Sequence, residues 1–282
     1  MHEYRDIDIN GFGTVSGGHC EDLNINGAGK VQGAVECKSA SIDGAGTIEG
    51  DLTVLEEFSC DGSGKVQGSL RAASVEVDGA MKVDGGLFAQ RVDVDGSFKV
   101  VGNSEISGKL EIDGSFRTEG KLRAEALTVD GHCEARKGIS AESITVSGIL
   151  KSEADVQAER LCSTGVLKIA GLLNAEHVEI QLRGDSAVES IGGGSIQIRL
   201  KESGVDWVLG SFSLGTLFSG KRRHHLAANL IEADEIHLEY TDAQLVRGSR
   251  VHIGPECVID RVEYSGELST DANATVRERV KI

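Results

Sequence analysis

Residues 74–96 read SVEVDGAMKVDGGLFAQRVDVDG, and they hold one pattern twice. Val75 and Val77 precede Asp78-Gly79; Val92 and Val94 precede Asp95-Gly96, a step of 17 (96 − 79). Between the two glycines, Met81 and Val83 alternate with outward-type residues, and Leu87 and Ala89 do so again. Alternation every second residue is the period of a β-strand. Three short alternating runs within one such step, separated by bends, predict one three-sided coil of a solenoid.

Working outward in both directions, the pattern persists. The repeat glycine recurs at Gly11, Gly27, Gly44, Gly62, Gly79, Gly96, Gly114, Gly131, Gly148 and Gly165, with the step varying only between 16 (27 − 11) and 18 (62 − 44). Asn or Asp precedes it in eight of these ten copies, which predicts a tight bend with left-handed backbone angles. A second glycine follows at the sixth position after it in eight copies, from Gly17 to Gly120 and at Gly171. The residue two places after the repeat glycine is Gly13, Gly29, Gly46 and Gly64 in the first four copies, then Met81, Phe98 and Phe116, which predicts a narrower interior or a different bend near the N-terminus.

Composition fits this reading. The chain has 282 residues with 37 Gly and one Pro, and 39% of it is hydrophobic, which excludes both collagen and a flexible linker. Aromatic residues are only 4%, so the core is built from Val, Ile, Leu and Ala. Length alone suggests about two domains. The repeat instead predicts one elongated all-β solenoid of about 13 to 14 coils, roughly 60–65 Å long at the strand spacing. It divides into 1–202, regular to about 175, an insert at 203–228, and further coils over 229–282.

The formal net charge of -16 argues against nucleic acid as a partner. There is no apolar run long enough to span a membrane and no signal-peptide core, so a cytoplasmic location is expected. Six scattered cysteines without a CxxC pair read as reduced buried thiols; Cys20 and Cys37, one repeat step apart, are expected to stack on neighbouring coils.

Residues 203–228 break the rhythm. They hold Trp207, Phe212 and Phe218, followed by Lys221, Arg222 and Arg223. Aromatic residues beside a basic cluster fit an anionic membrane surface or a partner; the plainer reading is a loop lying on the solenoid flank. Lys30, Lys65, Lys82, Lys99, Arg117, Lys151 and Lys168 form a basic column at the third position after the repeat glycine, with acids such as Glu49, Asp84, Glu119 and Glu153 at the fifth. Glu125, Glu142, Glu159 and Glu176 stack at the third bend and read as splayed, exposed side chains rather than a cation stripe.

Enzymatic β-helices fit poorly. Hexapeptide acyltransferases keep a nearly invariant coil of three hexads and a catalytic histidine, and polysaccharide-active β-helices carry polar clusters on long loops. Here no histidine has a Ser or Asp partner at a recognisable spacing, no GGxGxD calcium repeat occurs, and glycine patterns such as GAGKVQG recur as bends rather than phosphate loops. No catalytic residue, cofactor or metal is assigned.

The segments INGAGKVQGAV (25–35), IDGAGTIEGDLTV (42–54) and VDGAMKVDGGLFA (77–89) resemble the bactofilins, polymer-forming bacterial cytoskeletal proteins, and the likeness runs from Ile9 to about Leu173. It implies a right-handed triangular parallel β-helix that polymerises end to end without nucleotide and serves as a scaffold for cell-envelope, shape or motility factors. It also implies self-association, with a bactofilin paralogue or an anionic membrane as further partners. The sequence has more coils than the usual core, lacks proline-rich tails and carries the 203–228 insert. A solenoid exposes unpaired strand groups at its ends, so Ile7 and Ile9, and Val276, Val280 and Ile282, are the candidate assembly residues. The alternative is a non-polymerising adaptor at the membrane surface.

Overall fold

The computed structural model of the chain describes residues 6–200 and 224–282. Among them every regular element is a strand, and all strand pairs are parallel in one 29-stranded sheet wound into about 15 turns of about 17 residues. The all-β solenoid expected from the repeat is therefore the fold, with slightly more turns than the sequence count. Each turn has three faces. The first face includes Ser39–Ile42, the second Ala45–Ile48 and the third Leu52–Val54. Stacking places equivalent residues in register: Met81 on Phe98, Val83 on Val100, Leu87 on Ser104 and Val92 on Leu110.

The core consists of columns running through the stack. Val31, Ile48, Val66, Val83 and Val100 form one, fully buried. The glycines of the first coils make room for larger neighbours rather than marking a void. A Cβ on Gly29 would press on the side chains of Ile25 and Ile9, and one on Gly46 on Ile42 and Ile25. A Cβ on Gly64 would meet the Met81 and Cys60 side chains, and from the next coil on this position carries Met81, Phe98 and Phe116 themselves. Phe98 and Phe116 then meet edge to face at 5.6 Å.

The repeat glycines serve a different purpose from the one expected. Positive φ among the described residues is confined to Gly18, Gly33, Gly138, His224, Tyr240 and Glu256. The Asp-Gly bends are therefore not left-handed. A Cβ on Gly96 would overlap the carbonyl oxygens of Gly79 and Asp78 in the coil before it. Glycine is required because successive bends stack backbone on backbone: Gly96 N donates to Val77 O at 2.9 Å, and Ser97 N to Gly79 O at 2.8 Å. The bends continue the ladder, which explains why proline is nearly absent.

From Val166 onward the bends no longer interrupt the strands. Val166–Leu182, Ser186–Leu200, Leu226–Leu238, Thr241–Ile253 and Val258–Thr270 each wrap more than one face. The stack continues directly across the 201–223 segment, with Ile198 in register with Leu238 and Ser186 with Leu226. Five cysteines are buried and Cys162 is half-buried. Cys20 and Cys37 stack on neighbouring coils, as the spacing predicts, and burial together with the neighbouring thiol pushes Cys37 up to about 12.

Candidate functional site

Two kinds of surface stand out: the two ends of the stack and the charged second face. At the N-terminal end, Ile7 and Ile9 stand in register with Leu23 and Ile25, and Gly13 and Val15 with Gly29 and Val31. Gly18 follows, in register with Val35. These residues extend the core columns to the first described coil, and no further coil among the described residues covers them. Ile9 is buried, Ile7 half-buried, and Phe12 beside them is 97% exposed.

The C-terminal end differs in chemistry. Val276 continues the column of Ile259, but Arg279 follows Val262 and Lys281 follows Tyr264. Val280 stands in register with Glu263, an outward position whose carboxylate binds Arg247 and Arg261 at 2.8 Å each. Ile282 is 65% exposed. Of the three C-terminal residues singled out in the sequence, only Val276 lies in a core column between coils. Trp207, Phe212, Phe218, Lys221, Arg222 and Arg223 lie outside the described residues.

The basic column on the second face is paired with acids on the same and neighbouring coils from Lys30 to Lys151. Lys30 meets Glu49 at 2.6 Å, Lys65 and Lys82 share Asp84 at 3.1 and 2.6 Å, and Lys99 meets Glu119 at 2.6 Å. Glu134 takes the column position that Arg117 and Lys151 hold in adjacent coils and binds both, at 2.7 and 2.9 Å. Its side chain is only 5% exposed. Hydrogen bonding to lysine holds the Asp84 and Glu134 carboxyls below the usual range. On the first face the balance reverses: partial burial and neighbouring carboxylates push Glu76 and Asp93 up. The four stacked glutamates at the third bend are exposed.

On the first face of the C-terminal coils, His237 and His252 stack at 4.5 Å, a pair the sequence reading did not anticipate because their step of 15 (252 − 237) departs from the repeat. Among the described residues no group of three or more His, Cys, Asp or Glu could hold a metal ion, and no helix is long and apolar enough to cross a membrane.

This geometry defines a class: a parallel β-solenoid with an ion-paired flank and an apolar end that no further coil covers among the described residues. Residues 3–88 match the family model of the bactofilins, described as polymer-forming cytoskeletal, which bears out the resemblance read from the repeats over that segment. Two curated Bacillus subtilis (strain 168) proteins are similar. One, the uncharacterized protein YhbE, is 38% identical over 115 residues, covering 40% of this chain and 44% of the relative. The other, the uncharacterized protein YhbF, is 33% identical over 113 residues, covering 40% and 42%. The matched segment thus spans less than half the length of either relative. No solved structure matches.

Proposed function

We propose that the chain is a bactofilin-like scaffold that self-associates through the ends of its solenoid without nucleotide and positions cell-envelope, shape or motility factors. The observation that carries this reading is the N-terminal coil. Its core columns end uncovered among the described residues, with strand edges able to pair with a further coil and Phe12 exposed beside them. The match of residues 3–88 to a polymer-forming family supports the same reading. The match of that segment to a cytoskeletal family supports reading the chain as a non-enzymatic protein.

The second reading is an adaptor held at an anionic membrane surface without polymerising. It rests on the sequence of residues 207–223, where Trp207, Phe212 and Phe218 precede three basic residues. Negative-stain microscopy of the purified chain, with and without added nucleotide, separates the two. End-joined particles that form equally in both conditions support the scaffold reading. Single rods at every concentration refute it.

A further inference from the structure

The two ends of the stack are not equivalent, and the difference is one of charge at core positions. The inward set at the N-terminal end is Ile7, Ile9, Gly13, Val15, Gly18 and Cys20, all uncharged. At the C-terminal end the corresponding set is Leu268, Thr270, Ala274, Val276, Arg279 and Lys281. Arg279 continues the column Ile231, Val246, Val262, and Lys281 the column Ala233, Gly248, Tyr264. Both cations are exposed. A coil added beyond them would enclose two positive charges against an apolar column, and burying a charge without a partner is strongly unfavourable. Charged residues at inward positions are a known means of blocking strand addition.

We infer that the C-terminal coil closes the stack and that the chain self-associates through its N-terminal coil against the N-terminal coil of a second copy. This rests on the self-association proposed above. A head-to-tail joint would place Arg279 over Gly18 and Lys281 over Cys20, and neither supplies a counter-charge. The acids of the first coil, Asp6, Asp8 and Glu21, are exposed and lie at register positions outside the core columns. An N-to-N joint brings apolar columns together and leaves those acids at its rim. Their mutual repulsion is screened by salt, so this pair tightens as ionic strength rises, whereas an acid-to-cation joint loosens.

The test compares the full chain with two variants by light scattering and negative-stain microscopy, at low and high salt. Arg279→Val with Lys281→Tyr restores the residues of the preceding coil. Gly13→Glu puts a charge at the N-terminal end, where a Cβ meets only the Ile9 side chain at 3.6 Å, so the fold is retained; an unchanged thermal melt verifies this. The native chain is expected to form pairs, with a scattering mass twice the 29.8 kDa of the single chain, favoured by salt. The double variant is expected to form longer strings, and Gly13→Glu monomers. Native strings, pairs that survive Gly13→Glu, pairs that salt dissolves, or a double variant that stops at pairs overturn the inference and leave self-association standing. A native monomer also overturns it; if the double variant is monomeric too, the scaffold reading falls with it.

Discussion

The glycine at each bend is a packing residue, and its neighbourhood changes along the column. Gly96 has the carbonyls of the preceding coil where a Cβ would go, whereas Gly11, the first of the column, has nothing within 4 Å. Gly96→Ala therefore forces the bends apart and is expected to lower stability by more than about 3 kcal/mol, beyond typical substitutions. Gly11→Ala meets no coil and is expected to leave stability within about 0.5 kcal/mol of native, as surface substitutions usually do. Equal effects at both sites, measured by urea unfolding, would show that the requirement is conformational. Spacing revealed this column but not its cause, since a glycine that avoids a clash and one that adopts positive φ look the same in sequence. Ser104 is a second departure. It occupies the column of Leu87 and Leu122, is fully buried, and its hydroxyl has no partner. Other buried hydroxyls in the core are satisfied by local backbone: Thr118 donates to Gly102 O at 3.0 Å and Ser152 to Ala154 O at 2.7 Å. Ser104→Val removes an unsatisfied polar atom and fills the column, and is expected to raise stability by about 1–3 kcal/mol. A lower melting temperature would mean that the site is too tight for a branched side chain.

At the scale of a face, the charges form ladders whose sign depends on the element. The basic column was legible in the sequence because it keeps one position per coil. Its partners were less so, since Lys30 reaches Glu49 and Lys99 reaches Glu119 on the following coil. Glu134 was missed as the acid inside the basic column, although its place in the repeat identifies it. Paired carboxyls with depressed folded values stabilise the fold above their unfolded values of about 4, and that contribution is lost as pH falls through the folded values. Asp84 and Glu134 follow this rule. Asp93 does the reverse: its raised folded value makes its ionised form a liability at neutral pH, relieved as acid protonates it. Asp93→Asn is accordingly expected to raise the melting temperature at pH 7, with the gain fading on acidification. Glu134→Gln is expected to lower it at pH 7, with the deficit shrinking below about pH 4. Melting curves of the two variants from pH 7 to pH 3 should converge on the native curve from opposite sides; parallel curves at a constant offset would assign both effects to packing.

For the whole molecule, the repeat made the solenoid legible from residue 9 to about 173, and the looser C-terminal coils were counted only roughly because their bends lose the glycine marker. The 201–223 segment interrupts the sequence without interrupting the stack. Ile198 and Leu238 are registered positions separated by 40 in sequence (238 − 198), whereas Leu238 and Ile253 are separated by 15 (253 − 238). Removing 201–223, a stretch of 23, would leave a separation of 17 (40 − 23), the commonest step of the repeat. The flanks are already secured by described residues: Leu200 N donates to Glu239 at 3.1 Å, His224 N to Asp185 at 3.1 Å, and Leu226 and Ala228 are buried in the core. Because each coil contacts chiefly its neighbours, the registered coils on either side carry the stability of the stack. Joining Leu200 to His224 is therefore expected to preserve the far-ultraviolet spectrum and to shift the melting temperature by no more than a few degrees. Co-sedimentation with anionic vesicles then isolates the contribution of the aromatic and basic residues. If the native chain sediments and the shortened chain does not, the membrane contact belongs to this segment. If both sediment equally, the contact lies on the solenoid itself, and a collapse of the melting temperature would show that the segment is part of the packed stack.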